Sequence, residues 1–107
     1  MCIRDSDNGG LNISFRAFQN VLKENPAAGK TIDGFTPEQR FFLSWATVWA
    51  GNARPEFIDR QIKTDPHSPA EARVNAALPQ IDAWYKAFNI KKGDKLFLDK
   101  KKRAHIW

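Results

Sequence analysis

The residues of this chain best suited to chemistry lie between Thr64 and Arg73. The imidazole of His67 can donate a hydrogen bond and exchange a proton near neutral pH, and the guanidinium of Arg73 offers several N–H donors in a planar fork. Asp65 stands two residues before His67, where its carboxylate can bond the imidazole and fix its tautomer. This pattern indicates donors for a polarised carbonyl oxygen, but a capped loop histidine and a surface salt bridge of Arg73 also fit it.

A short helix must position these side chains. Ser68 is a suitable N-cap, Pro69 suits the first helical turn, and Glu71 stands three residues after Ser68, which together form the pattern of a capping box. We therefore predict a helix from Ser68 to Leu78. His67 then lies just outside its N-terminus, where the helix dipole favours anions.

Four further helices are predicted from apolar spacing and from start and stop signals. The clearest start is at Thr36, which can cap a helix whose first turn contains Pro37 and whose Gln39 can complete a capping box. Another predicted helix follows Gly10 and ends near Asn25-Pro26, and another runs from Arg54 to about Ile62. The last contains Ile81, Trp84, Tyr85 and Phe88 and ends at Asn89. The sequence thus predicts a mainly α fold of about five helices, with an irregular C-terminal arm, ending in Ile106 and Trp107, that packs back onto them.

The composition excludes several classes of protein. With 107 residues, of which 42% are hydrophobic, the chain is at most one ordinary domain and is not a disordered or low-complexity sequence. No apolar run is long enough to cross a membrane, and the single Cys2 can form neither an internal disulfide nor a cysteine-built zinc site. The net charge of +5 is concentrated in residues 86–107, which carry eight Lys or Arg and two Asp. Such a tail is more typical of solvated surface than of a nucleic-acid site.

Several short segments, taken in order, resemble the C-terminal end of the neprilysin-type zinc metallopeptidases, which include the endothelin-converting-enzyme-like members. The segments are Asp7-Asn8-Gly9-Gly10-Leu11, Phe41-Phe42-Leu43, Trp49-Ala50-Gly51, Arg54-Pro55-Glu56, Thr64-Asp65-Pro66-His67-Ser68-Pro69, Arg73 and Trp107. Each is weak alone, but their order and spacing make the combination specific, and it covers Asp7 through Trp107. The resemblance implies the C-terminal helical part of a zincin-type catalytic domain, from a zinc-dependent endopeptidase that hydrolyses peptide bonds.

The family's metal ligands are missing from this chain. The family binds zinc through the two His of H-E-x-x-H, which is absent here, and through the Glu of E-x-x-x-D, whose Asp matches Asp7 but whose Glu position holds Ile3. His67, His105 and Cys2 have no recognised ligand spacing. We therefore expect zinc in the intact enzyme, none bound by this fragment, and no activity of the fragment alone. Residues 1–6 are interpreted as a non-native leader or read-end artefact, and residues 7–107 as the metallopeptidase part.

Catalytic roles follow from the resemblance for two residues. His67 is expected to donate a hydrogen bond to the oxyanion of the tetrahedral intermediate, with Asp65 orienting its imidazole from the far side. Asp7 is expected to orient a zinc-binding His without touching the metal, and in the family it is often regarded as a proton donor.

Substrate binding is implied for three more residues. Arg73 is expected to bind a substrate backbone carbonyl beyond the scissile bond, and Val48 and Trp49 to line the pocket for the side chain that follows the cleaved bond. Spacing alone is more typical of core positions for both, and the wall of a pocket is often core exposed on one side.

The expected partners are peptide substrates and the missing N-terminal part of the same catalytic domain. Ala50 stands where the disulfide-bearing animal members have a cysteine, which favours a bacterial parent; its compartment, periplasmic or secreted among the possibilities, depends on the absent N-terminus. Two other classes of function stay open at this point. One is a stand-alone helical protein-interaction module, and the other, which the charge distribution disfavours, is a nucleic-acid binder acting through Lys91 to Arg103.

Overall fold

A computed structural model describes the backbone of residues 3–106 and the side chains of residues 5–106. Five α-helices follow one another in this part of the chain: α1 (Ile3–Glu24), α2 (Pro37–Val48), α3 (Pro55–Thr64), α4 (Ala70–Asn75) and α5 (Asp82–Phe88). Single 3₁₀ turns occupy Pro26–Gly29, Leu78–Gln80 and Lys100–Lys102. Apart from an isolated bridge between Ile32 and Phe35, the described residues contain no β structure. The predicted mainly α fold of about five helices is therefore confirmed.

The core is formed where α1, α2 and α5 meet. Phe42 of α2 is buried, and its ring stacks on that of Phe15 from α1 at 5.2 Å between centroids. Two aromatic residues of α5 and the turn before α5 complete the core. The buried apolar residues are Leu11, Phe42, Ala77, Leu78, Ile81, Trp84 and Tyr85. The apolar spacing that predicted these helices is therefore the spacing that buries them.

Helix α2 begins as the sequence predicts. The Thr36 hydroxyl accepts a hydrogen bond from the Gln39 N–H, and the Gln39 side chain accepts one from the Thr36 N–H. Gln39 also donates to the carbonyl oxygen of Ala87 at 2.9 Å, which ties this capping box to α5. The start of α2 is thus fixed by both local and tertiary bonds.

Helix α4 differs from its prediction at both ends. It begins at Ala70 and ends at Asn75, and Pro69 occupies the cap position with an extended backbone (φ −53°, ψ 152°). No side chain caps this helix, so the predicted role of Ser68 as its N-cap was wrong. Proline at the cap has no side-chain oxygen for the free N–H groups, and Ser68 stands one residue before the cap position.

Helix α1 is longer than the sequence predicts. It begins at Ile3 rather than after Gly10, and it runs through Gly9 and Gly10 without a break. Asp7, Asn8 and Leu11 are buried, so tertiary contacts hold a stretch whose residues have low helix propensity. None of the described helices is long and apolar enough to cross a membrane. Cys2 and Trp107, both named in the sequence predictions, lie outside the described residues.

Candidate functional site

An ion pair between Asp7 of α1 and Arg73 of α4 forms the centre of the candidate site. Arg73 Nε donates to Asp7 Oδ2 at 2.7 Å and Nη2 donates to Oδ1 at 2.5 Å, so the pair is bidentate. The two side chains are 7% and 17% exposed. The hydrogen bonds that Arg73 donates to Asp7 raise the pKa of Arg73, against the opposing effect of burial. The structure therefore joins two predicted site residues that are 66 positions apart in the chain.

The guanidinium of Arg73 also rests on an aromatic ring. Its central carbon lies 3.8 Å from the centroid of Trp49, the residue directly after α2. Trp45, one turn earlier, packs edge-on against Trp49 at 5.6 Å and donates from its indole nitrogen to the backbone carbonyl oxygen of Arg73 at 3.3 Å. The end of α2 thus grips both the side chain and the backbone of Arg73.

Two polar atoms at this site have no protein partner among the described residues. Arg73 Nη1 makes no hydrogen bond there, because Asp7 occupies only Nε and Nη2. The indole nitrogen of Trp49 is buried and also lacks a partner. A buried N–H normally finds an acceptor, and a guanidinium held in one plane on two sides can present its remaining N–H groups in a fixed direction.

His67 and Asp65 form the close contact that their spacing predicts. His67 Nδ1 lies 2.7 Å from Asp65 Oδ1, and the His67 backbone N–H donates to the same oxygen at 2.8 Å. These bonds, the backbone one first, lower the pKa of Asp65. Since a carboxylate only accepts, Nδ1 carries the proton, and Nε2 becomes a donor as well when the imidazole is positively charged.

The His67 side chain is 57% exposed, so it is available to a ligand. Asp65 itself is the residue directly after α3, which means that the end of this helix positions the imidazole. No hydrogen bond or ion pair connects His67 to Asp7 or Arg73 within the described part of the chain.

Val48 and Trp49 have different surroundings among the described residues. Val48 is 69% exposed and contributes to an apolar cleft of about 400 Å³, together with Leu11, Phe18 and Trp45. Trp49 is absent from that lining and turns towards Arg73 instead. The sequence reasoning missed this second use of Trp49, because an aromatic residue four positions after Trp45 predicts only a shared helix face.

The C-terminal arm, residues 99–106, contains a second polar cluster that the sequence analysis missed. Arg103 Nη1 donates to Asp82 at 2.7 Å, and its guanidinium lies 3.5 Å from the centroid of the Tyr85 ring. The Arg103 side chain is only 8% exposed. Its place in a basic run predicted solvated surface, and no local signal distinguished it from the lysines before it.

No three His, Cys, Asp or Glu side chains within residues 5–106 lie together in an arrangement that could hold a metal ion. We assign no zinc ligand among these residues, and no chemical step below is routed through a metal.

Comparison with known proteins defines the class to which this helical fold belongs. The fold matches the zinc metalloprotease Zmp1 of Mycobacterium tuberculosis, solved by cryo-electron microscopy in an open state, with a TM-score of 0.90 and 41% identity over 97% of this chain and 16% of that protein. It is thus the C-terminal helical part of a metallopeptidase, as predicted, and the bacterial match agrees with the predicted bacterial parent.

The profile of Peptidase family M13 matches residues 4–104. Neprilysin of Homo sapiens is 36% identical over 104 residues, which are 95% of this chain and 14% of that protein. Endothelin-converting enzyme 1 of Bos taurus is 39% identical over 90 residues, 82% of this chain and 12% of that protein. The chain therefore belongs to peptidase family M13, and it spans about one seventh of the length of the curated relatives that it matches.

Proposed function

We propose that this chain is the C-terminal part of the catalytic domain of a zinc-dependent metalloendopeptidase, where it supplies substrate-binding and oxyanion-stabilising groups for peptide-bond hydrolysis. The observation that carries the proposal is the guanidinium of Arg73, which is fixed between Asp7 and Trp49 while Nη1 has no partner among the described residues. Among the described residues, this leaves an oriented N–H group that can donate to a carbonyl oxygen of a peptide.

Arg73 is proposed to bind a backbone carbonyl oxygen of the peptide substrate. The bidentate bond to Asp7 fixes the guanidinium plane, and the stack on Trp49 prevents rotation out of that plane. A donor held in this way binds an acceptor with little further loss of side-chain entropy, which is the benefit of a preorganised site.

His67 is proposed to donate a hydrogen bond from Nε2 to the oxyanion that forms when the peptide carbonyl is attacked. Its Nδ1 is bonded to Asp65 Oδ1, which orients the imidazole, and donation from Nε2 requires the doubly protonated ring. An oxyanion donor acts mainly in the transition state, so its loss affects kcat more than KM. The loss typically lowers kcat by a factor of about 10² to 10³.

Asp7 is proposed to hold Arg73 and, in the complete enzyme, to orient a zinc-binding His through its remaining oxygen lone pairs. Zinc and its ligands are proposed to come from the preceding part of the domain, which this chain does not contain. Alone, the chain is proposed to be inactive, and its partners are that missing part and the peptide substrate. Val48 is proposed to contribute to the apolar pocket for the side chain after the scissile bond.

A chimera tests this proposal. The matched C-terminal segment of the mycobacterial zinc metalloprotease is replaced from the position of Asp7 onwards by this chain's residues, and hydrolysis of a fluorogenic peptide is measured. Activity is expected, with His67→Gln lowering kcat at least about 100-fold and Arg73→Lys raising KM. His105→Gln changes an exposed histidine of the same chain and is the matched control. A folded, zinc-loaded chimera without activity, or equal effects of the two histidine variants, contradicts the proposed roles.

A second candidate is a helical protein-interaction module, which is favoured by the apolar surface of α3. Phe57, Ile58 and Ile62 are 50%, 37% and 64% exposed on this ten-residue helix. Exposed apolar residues that share a surface often mark contacts with another protein. The chimera separates the two candidates, because only the peptidase candidate predicts hydrolysis that depends on His67.

A further inference from the structure

The C-terminal arm is held on the protein by Arg103. This side chain donates from Nη1 to Asp82 at 2.7 Å and from Nε to the carbonyl oxygen of Leu98 at 3.0 Å, while its guanidinium stacks on Tyr85. The Tyr85 hydroxyl in turn accepts a hydrogen bond from the Leu98 N–H at 3.0 Å. Arg103 thus combines an ion pair, a hydrogen bond to the backbone and an aromatic stack in one nearly buried side chain. These contacts fix the arm to the helices at this residue.

The residue after Arg103 connects two distant parts of the fold. The Ala104 N–H donates to the side chain of Gln80 at 2.8 Å, and the Ala104 carbonyl oxygen accepts from the side-chain amide of Asn8 at 3.1 Å. Asn8 is 2% exposed, and its Oδ1 accepts from the Asn12 side chain at 2.8 Å. Both backbone groups of Ala104 are therefore used, one on the 3₁₀ turn before α5 and one on α1.

Asn8 directly follows Asp7, the partner of Arg73. This part of α1 consists of residues with low helix propensity, Gly9 and Gly10 above all. Its helical conformation depends on tertiary contacts, and two side-chain bonds to distant residues hold its buried positions, from Arg73 to Asp7 and from Asn8 to the carbonyl oxygen of Ala104. The direction of the Asp7 carboxylate is consequently set from two sides, by its own ion pair and by the arm.

We propose that the C-terminal arm positions the substrate-binding arginine, with Asn8, Gln80 and Arg103 as positioning residues. The hydrogen bond between Asn8 and the arm stabilises the first turns of α1. Those turns orient the Asp7 carboxylate towards Arg73. The inference deepens the proposed function, on which it rests for the role of Arg73, and it adds a contact network that reaches the site from the far end of the chain.

Hydrogen exchange measured by NMR on the whole 107-residue chain tests this coupling without any need for activity. The probe is the Arg73 Nε–H, and the reference is the core amide of Trp84, which bonds to Ile81 at 3.0 Å. Gln80→Leu removes the acceptor for Ala104, whereas Gln80→Glu retains it. We expect Gln80→Leu to accelerate exchange of the Arg73 Nε–H roughly threefold to tenfold relative to Trp84, and Gln80→Glu to restore the slow rate.

Two results overturn the proposal: an Arg73 Nε–H that exchanges at the unmodified rate in Gln80→Leu, or an acceleration shared equally by Trp84. If Gln80→Leu does not fold, the unmodified chain provides the test in low urea. There the Ala104 N–H and the Arg73 Nε–H are expected to open with the same urea dependence, and different dependences refute the coupling. An inactive chimera together with coupled exchange removes the proposed function and leaves the positioning network intact.

Discussion

Replacement of Arg73 by methionine is expected to lower the free energy of unfolding by about 3 kcal/mol. Asp7 is 7% exposed, and its hydrogen bonds to described side chains come from Arg73. Removal of one member of a buried ion pair leaves the other charge without compensation, which typically costs about 3–5 kcal/mol. Because Arg73 is itself 17% exposed, water can partly replace it, and we take the lower end of that range. The lost stack on Trp49 contributes about 0.5–1 kcal/mol of this total.

Urea unfolding followed by tryptophan fluorescence measures this cost. Lys63→Met is the matched control, since it removes a 2.7 Å ion pair to Asp59 on the surface of α3, where the side chains are 68% and 67% exposed. That control is expected to cost less than about 0.5 kcal/mol. The difference between the two variants measures the combined effect of burial, the second hydrogen bond and the stack on Trp49, beyond that of the formal charge.

Asp7→Asn completes a double-mutant cycle with Arg73→Met. The double variant should cost at least about 1 kcal/mol less than the sum of the single variants, because it leaves no unpaired buried charge. The reasoning is refuted if the single costs simply add, or if Arg73→Met shifts the unfolding midpoint no further than Lys63→Met. Either result means that the Asp7 carboxylate is solvated and that the pair does not fix the guanidinium.

Four further outcomes are expected. Tyr85→Phe should lower the free energy of unfolding in urea by about 1–3 kcal/mol. The Tyr85 hydroxyl donates to the carbonyl oxygen of Pro79 at 2.8 Å and accepts from the N–H of Leu98 at 3.0 Å, and both bonds are lost. Thr36→Ala should cost about 1 kcal/mol and Thr36→Ser almost nothing, because only the alanine removes the cap. The hydrogen bond from Arg103 lowers the pKa of Asp82 in the folded state. The ion pair therefore stabilises the fold at a pH above the ordinary carboxylate pKa, and this stabilisation is lost as the pH falls through the lowered pKa of Asp82. Asp82→Asn should therefore flatten the acid-induced opening of the C-terminal arm in hydrogen exchange. Gly10→Ala should raise the melting temperature, with a gain of about 0.5–1 kcal/mol, because no described atom beyond its chain neighbours and its own helix backbone lies within 4 Å of the added methyl group.

Features encoded within a few residues could be predicted from the sequence. The capping box of Thr36 and Gln39 and the contact of Asp65 with His67 both join groups two or three positions apart, so residue type and spacing define them. The same kind of signal failed at Ser68, where the pattern of a capping box was present. The backbone of Pro69 is extended, so the helix begins at Ala70, one residue later than predicted. A capping box requires its two residues at the cap and at the third helical position, and this shift removes Ser68 from the cap position.

Features built by tertiary contact could not be predicted in this way. The ion pair of Asp7 and Arg73 spans 66 positions, and the bond from Asn8 to Ala104 spans 96. The resemblance to a known family selected Asp7 and Arg73 separately, but nothing in the sequence placed them in contact. The resemblance also selected Trp49, but nothing in the sequence indicated that its ring stacks on the guanidinium of Arg73.

The first turns of α1 show why the prediction failed where the function is proposed to lie. Periodicity predicted a helix only after Gly10, because Asp7, Asn8 and Gly9 are poor helix formers with no apolar spacing. A segment that forms a helix against its own propensity must be held by bonds from elsewhere, and here those bonds come from α4 and from the C-terminal arm. Conflict between local propensity and final structure is expected at functional sites, where stability is exchanged for geometry. The burial of two polar residues, Asp7 and Asn8, in a helical segment that its own sequence disfavours is therefore what the proposed role of this end of α1 requires.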